Sequence, residues 1–227
     1  MSKLTVSEAI QKRGSVRAYT TQQVARETIE EILSLARLAP SNGNLQPWQV
    51  HVLTGDIKKQ LSDAVFRKVA EQPQGEPTDV RIYPKGVVDP WRQRRFECGE
   101  TLYNALGIAR DDKMGRMMQM AKNFSFFDAP VGMIFTVDNS MVEQQYVDVG
   151  ILLQSIMLLA QERGLSTCPQ AAWSMWPGII REVLGLPDSE RVVVGLAMGY
   201  ADDNSNAAHI PQQRVVLEEY TSFHGFE

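Results

Sequence analysis

Ala39-Pro40-Ser41-Asn42-Gly43-Asn44-Leu45-Gln46-Pro47-Trp48 separates a helix pattern from a strand pattern. Upstream, Ile29, Ile32, Leu33 and Ala36 recur at helical spacing within Arg26–Leu38. Ala39-Pro40 stops that helix, because a proline disfavours helical backbone in the residue before it. Downstream, Trp48–Leu53 alternates apolar and polar residues and is expected to be a strand. Between them, Ser41-Asn42-Gly43-Asn44 is turn chemistry. Its side-chain amides suit two tasks equally: shaping a turn, or reading the edge of a heterocycle.

Working outward, Val6–Arg13 is a short helix with Gly14 placed as a C-terminal cap. Asp56 opens a helix to about Ala70, and Gln72–Pro90 reads as an irregular surface excursion. Helical pieces follow at Arg94–Leu106 and Asp111–Lys122. Val131–Val137 is an unbroken apolar run of strand length, which implies burial on both faces. Segment 54–130 thus separates two strands and carries helices of its own, so it is expected to be a functional cover. Tyr146–Glu162 is apolar nearly all round and is expected to be fully buried. Ser166–Ala172 is a short strand. Pro177 and Gly185 bracket a further helix in the expected order. Arg191–Gly199 is a second buried strand, and Arg214–Leu217 a final one. Helices mixed with short strands, without regular βαβ alternation, predict an α+β fold. The expected form is one domain over 1–227.

Bulk composition removes several classes. The chain has 227 residues, 44% of them hydrophobic, with a formal net charge of −4. Disorder and non-specific nucleic-acid binding both require a different balance. No apolar run reaches the roughly 18 residues that span a bilayer; the longest, Gly150–Ala160, is interrupted by Gln154 and Ser155. No membrane or nucleic-acid partner is expected. Met1-Ser2-Lys3-Leu4 shows no apolar secretory core, and a cytoplasmic location is expected. Only Cys98 and Cys168 occur, and the three histidines are scattered without ligand spacing. No metal site is expected, so redox chemistry needs an organic cofactor.

Phosphate-binding glycine loops, the serine-nucleophile elbow and the zinc-protease motif are all missing from the sequence. A phosphorylated ligand would need arginine, serine and backbone donors. Arg13-Gly14-Ser15-Val16-Arg17 offers them, with two planar forks and a hydroxyl. Taken alone, it reads as a solvated helix end, where a basic residue complements the dipole.

In this order, the two segments resemble the FMN-dependent nitroreductase superfamily, which opens with R-x-S-x-[RK] and continues with A-P-S-x-x-N-x-Q-P-W. The resemblance extends through Phe127-Asp128-Ala129-Pro130, Asp148-Val149-Gly150, Gly164-Leu165, Leu184-Gly185-Leu186-Pro187, Gly199-Tyr200 and Pro211-Gln212-Gln213-Arg214. It implies a mixed central sheet flanked by helices and an intertwined homodimer with two FMN sites at its interface. Arg13, Ser15 and Arg17 would contact FMN from one subunit, with Arg13 and Arg214 at the phosphate and Arg17 near the ribityl chain and the N1/O2 edge. Gly14 keeps a backbone donor where many relatives carry a side chain. Pro40, Ser41, Asn42 and Asn44 would come from the other subunit, as would Pro169, Gln170 and Ala171. Gln144 matches an interface glutamine, and Gln145 is equally placed.

The resemblance further implies that NAD(P)H and a small aromatic substrate use one flavin face in turn, giving ping-pong kinetics with no side-chain nucleophile. Tyr83, Trp91, Phe124 and Trp173 are candidate walls of the substrate pocket, with Phe126, Phe127 and Trp176 as further aromatics. Arg92, Arg94 and Arg95 form a basic cluster suited either to a substrate carboxylate or to a solvated face. The expected activity is reduction of nitroaromatic compounds. The same scaffold serves a flavin or quinone reductase, or a flavin-fragmenting enzyme. It also serves a reductive dehalogenase of halogenated tyrosines, for which Glu97, Glu100, Tyr103 and Lys113 are zwitterion candidates. A flavin-binding sensor or storage protein is the non-enzymatic reading.

Overall fold

The computed structural model describes residues 4–78 and 80–226. Met1–Lys3, on which part of the leader-sequence expectation falls, lie outside them. Seven α-helices and four strands are formed among the described residues. The helices are α1 (Val6–Lys12), α2 (Arg26–Ala36), α3 (Gly55–Val69), α4 (Trp91–Ala105), α5 (Lys113–Ala121), α6 (Gln144–Glu162) and α7 (Pro177–Leu184). The strands are β1 (Trp48–Leu53), β2 (Val131–Asp138), β3 (Ser166–Gln170) and β4 (Glu190–Gly199).

The sheet order is β1-β2-β4-β3, and every pairing between these strands is antiparallel. The mixed character expected of the sheet rests on one isolated parallel bridge, Ser15 to Thr167. Strand β2 lies second in the order, which explains its unbroken apolar sequence. Met133, Phe135 and Val137 face one way and pack with Ile29 and Ile32 of α2 and Leu152 and Ile156 of α6. Ile134 faces the other way, into a cluster with Leu61 and Val65 of α3 and Ile179 and Ile180 of α7. The result is helices on both faces of one sheet, an α+β architecture.

Local chemistry sets the helix ends. Thr5 and Glu8 form a reciprocal capping box at α1, with Glu8 N donating to Thr5 Oγ1 at 3.2 Å and Thr5 N donating to Glu8 Oε2 at 2.7 Å. Gly14 is not the cap expected of it: Arg13 caps α1 in an extended conformation. Gly185 ends α7 in the left-handed region, at φ 65°.

Three other expectations change. Segment 54–130 is not one cover: α3 is a core helix, with Leu61 and Val65 fully buried. What remains of the expected cover is the stretch from the excursion after α3 to α5. Helix α6 is not buried all round within one chain. Gln145, Asp148, Val149 and Leu152 face the core, while Val147 is 54% and Ile151 37% exposed. Arg214–Leu217 is not a strand. Val215, Val216 and Leu217 form a short apolar run, but the segment pairs with no strand among the described residues, and a 3-10 turn starts at Leu217.

Candidate functional site

Beyond α1 the chain runs extended beside β3. Val16 N donates to Thr167 O at 3.0 Å, and Arg17 N donates to Ala207 O at 3.0 Å. Extended backbone alternates its side chains. Val16 is buried, while Arg13, Ser15 and Arg17 are only half-buried. A side chain at Gly14 would meet no atom within 4 Å, so its lack of one leaves open space.

Arg13, Gly14 and Ser15 line a groove of about 770 Å³ together with Lys12, Arg214 and Gln154 of α6. Among the described residues no carboxylate lines this groove, in a chain whose net charge is −4. The buried Nε2 of Gln212, also on its wall, has no hydrogen-bond partner. Arg214 Nη1 donates only to nearby carbonyls, Gln212 O at 3.2 Å and Gln213 O at 3.0 Å. Three cations, a hydroxyl and an idle amide donor make a lining chemically suited to an anion.

Two residues along, Arg17 lines a separate cavity of about 140 Å³, with Phe127, Cys168 and Pro169. Its far wall belongs to the cover: Tyr103 of α4, Gln119 of α5, and Asn123. Arg17 Nη1 donates to Ser15 O at 3.1 Å, and its guanidinium lies 5.9 Å from the centre of the Phe127 ring. That ring is delivered by an uncommon turn. Phe126, Phe127 and Asp128 all take left-handed backbone, at φ 55°, 53° and 63°. Such conformations cost roughly 1–2 kcal/mol per residue and persist where surrounding packing imposes them. Here Phe126 stacks on Trp173 at 4.4 Å, and the Lys58 ammonium donates to Ala129 O just beyond the turn. Burial draws the Lys58 pKa down, and Asp128 opposes the shift. Burial likewise pushes the Cys168 thiol up to about 11, against the opposing pull of Arg17. Cys168 is therefore a protonated, inert wall at neutral pH.

The expected site residues divide as follows. Arg13, Gly14, Ser15 and Arg214 meet in the groove, and Arg17 and Pro169 meet in the cavity. Pro169 lies in the same chain as Arg17, which corrects its expected origin in another subunit. The Ser15–Thr167 bridge is the physical reason. Gln170 is buried, with Nε2 donating to Asn123 O at 2.8 Å, and Ala171 is exposed beside it; neither lines either space.

Pro40, Ser41, Asn42 and Asn44 line neither space. Their loop docks on α6, where Asn42 N donates to Asp148 Oδ1 at 3.1 Å. Left-handed backbone at Gly43 and Asn44 accounts for the turn chemistry there. Gln144 is exposed at the start of α6, while Gln145 is buried and accepts from Val142 N at 3.1 Å.

Phe124 and Trp173 are not substrate walls. Both are sealed in the core, their rings edge to face at 5.7 Å, and Phe126, Phe127 and Trp176 are buried with them. Tyr83 and Trp91 are exposed on the cover, and Arg95 stacks over Tyr83 at 3.9 Å. Arg92 pairs with Asp89 at 2.5 Å and Arg94 with Glu219 at 2.9 Å, so the basic cluster is a paired surface. Lys12, Gln154, Gln119 and Asn123 escaped the sequence reading. Nothing in their local sequence separates them from solvated polar residues.

The Nitroreductase family model matches residues 10–200, from α1 to just beyond β4. The chain is 38% identical to a 4-nitrobenzoate reductase of Pseudomonas putida, covering 96% of this chain and 95% of that protein. It is 36% identical to a nitrobenzene nitroreductase of Ectopseudomonas oleovorans, with 96% of each covered. Among solved structures, the FMN and NADPH-dependent nitroreductase NfnB of Sphigopyxis sp. strain HMH superposes with a TM-score of 0.95 at 43% identity, covering 98% of this chain and 100% of that one. The NfnB of Mycobacterium smegmatis, solved with NADPH, gives 0.88 at 32% identity, with coverages of 96% and 97%. The fold, the arginine-serine-arginine edge and these likenesses run over the same length of sequence, and the chain belongs to the nitroreductase family.

Proposed function

We propose that this chain is an FMN-dependent, NAD(P)H-oxidising reductase of nitroaromatic compounds, working as a cytoplasmic homodimer. The observation that carries it is the groove with Lys12, Arg13, Ser15 and Arg214 on its wall and, among the described residues, no carboxylate. A phosphate monoester fits such a donor set, and the unpartnered Gln212 Nε2 supplies a further donor. FMN, when bound, supplies two-electron transfer between a nicotinamide and a nitro group, which no side chain here provides.

The residues of the chain bind and orient. Arg13 and Arg214 grip the phosphate, with Ser15 donating its hydroxyl. Arg17 sets its charge at the N1/O2 edge, where negative charge grows on reduction. Pro169 lies against the ring, and Tyr83 and Trp91 offer aromatic surface to the acceptor from the cover. Gly14 adds a backbone donor. Donor and acceptor occupy one site in turn, which gives ping-pong kinetics.

The dimer follows from what one chain leaves uncovered. Val147 and Ile151 on α6, Val6 and Ile10 on α1, and Leu38 and Leu45 beside the 40–44 loop are exposed apolar residues. A second copy would cover them, near Gln144. It would also bring its own Pro40, Ser41, Asn42 and Asn44 to the FMN site. Two free thiols, Cys98 and Cys168, agree with a reducing compartment, and no described helix is long and apolar enough to cross a membrane.

The test is reconstitution. Purified chain incubated with FMN is expected to retain it through gel filtration and to oxidise NADPH or NADH when 4-nitrobenzoate is added. A chain that retains no FMN, or retains it and turns over no nitroarene, refutes the proposal.

A further inference from the structure

Arg13, Ser15 and Arg17 share one extended strip but serve two spaces, the groove and the cavity. Between Ser15 and Arg17 lies Val16, which is 3% exposed. The peptide joining Val16 to Arg17 is tied at both ends. Its N–H, on Arg17, donates to Ala207 O at 3.0 Å. Its carbonyl, on Val16, accepts from the Tyr19 hydroxyl at 2.8 Å. A planar group held at both ends turns only by breaking a hydrogen bond, so the direction of Arg17 relative to Ser15 is fixed.

Tyr19 is itself held in place. It bridges Ala201, and its ring packs against the cluster that contains Phe127 and Cys168. Gly199 makes room for it: a Cβ there would stand 2.5 Å from Pro130 Cδ and 3.1 Å from Tyr19 Cδ1. Burial, and then Cys168, raises the Tyr19 pKa well above the ordinary value, against the pull of Arg17. The hydroxyl therefore stays a donor throughout the neutral range. Phenylalanine would fill the same space, so packing alone does not account for the hydroxyl. Tyr19 lines neither the groove nor the cavity.

A ligand anchored at two points gains from both only when those points are held at the separation it spans. FMN, as read above, puts its phosphate in the groove and its ring edge at Arg17. We propose that Tyr19 is a positioning residue that fixes the spacing between the groove and Arg17, so that one ligand engages both. It acts through the Val16 carbonyl and touches neither end of the ligand. This rests on the FMN reading.

The test is Tyr19→Phe in the full chain, titrated by fluorescence with FMN and with riboflavin. FMN is expected to bind about three- to tenfold more weakly, the worth of one net hydrogen bond. Riboflavin has no phosphate anchor and follows Arg17 where it settles, so it is expected to stay within about twofold of wild type. In an Arg13→Ala background the second anchor is already gone, and Tyr19→Phe is expected to cost FMN nothing further. The flavin midpoint potential is expected to become more negative as Arg17 loses its fixed place. Glu76→Gln, which loosens α7 instead, is expected to leave the potential and both affinities unchanged. Wild-type FMN affinity or an unmoved potential in Tyr19→Phe overturns this proposal alone. So do equal losses for FMN and riboflavin, a loss that adds in full to that of Arg13→Ala, or a Tyr19→Phe chain that does not fold, each of which assigns the hydroxyl to the fold. A wild-type chain that takes up no FMN overturns the underlying reading, and this proposal with it.

Discussion

Arg13→Ala separates phosphate recognition from every other contribution to the site. Arg13 is half-buried at the end of α1 and faces a groove that no carboxylate lines. A charge-assisted hydrogen bond is worth roughly 1.5–3 kcal/mol, which converts to about 10- to 150-fold in affinity. Lys12 and Arg214 stay in the groove and keep part of the attraction, so the lower half of that range is expected. The assay is flavin fluorescence quenching, run with FMN and with riboflavin, which has the same ring and no phosphate. Arg13→Ala is expected to weaken FMN by at least about tenfold and to leave riboflavin within about twofold of wild type. Raising the salt should erode FMN affinity in the wild type more than in the variant, because one screened cation has gone. Equal losses for FMN and riboflavin would show that Arg13 supports the ring or the fold, and the assignment of the groove to phosphate would fall.

Other perturbations test other parts of the molecule. Gly195→Ala puts a methyl 2.2 Å from Trp173 Cδ1; calorimetry should show a loss of about 1–3 kcal/mol, or roughly 3–10 °C in Tm. Glu76 accepts from Gly178 N at 2.6 Å and Ile179 N at 3.2 Å at the start of α7. Glu76→Gln should therefore lower the urea midpoint by about 1 kcal/mol equivalent and speed proteolytic nicking within 72–90. Ile151→Glu on the exposed side of α6 should convert a dimer to a monomer by light scattering and abolish FMN retention; a dimeric, yellow variant would count against the proposed interface. Cys168 holds its proton more tightly folded than unfolded, so its contribution to stability is complete below the ordinary thiol range near 8.5 and is lost as pH climbs toward about 11. Iodoacetamide at pH 8 should label Cys98 in the native chain and reach Cys168 only after denaturation.

Local rules carried the sequence reading where one element's own chemistry decides the outcome. Trp48–Leu53 alternates and is a strand with those bounds; Val131–Val137 does not alternate because it is covered on both faces. Pro177 and Gly185 bound α7 as their backbone preferences require. The reading failed where distant contacts decide. Phe124 and Phe126 read as acceptor aromatics but are sealed in the core, whereas the left-handed turn at Phe126–Asp128, with no glycine in it, leaves Phe127 on the wall of the Arg17 cavity. Pro169 was placed across a subunit boundary, because the Ser15–Thr167 bridge joins residues too far apart in sequence to be foreseen. Arg214–Leu217 has apolar, β-branched residues suited to a strand, but no described strand pairs with it. Of the site, Arg13, Ser15 and Arg17 were legible from their donor chemistry and spacing, although the structure divides them between the groove and the cavity. Gln119 was not, since its polarity predicts the surface and only tertiary packing turns it in.

The aromatic core described above also gives the molecule an optical division. Trp173 and Trp176 are sealed from solvent, whereas Trp91 is 61% exposed at the start of α4. A collisional quencher such as iodide will reach Trp91 and leave the sealed pair bright. With the half-buried Trp48 of β1 replaced by Phe, the quenchable fraction of the intrinsic emission follows Trp91 on α4, and the protected fraction follows the fold. A single titration, with and without an aromatic acceptor, can watch α4 settle over the site without a label and without turnover.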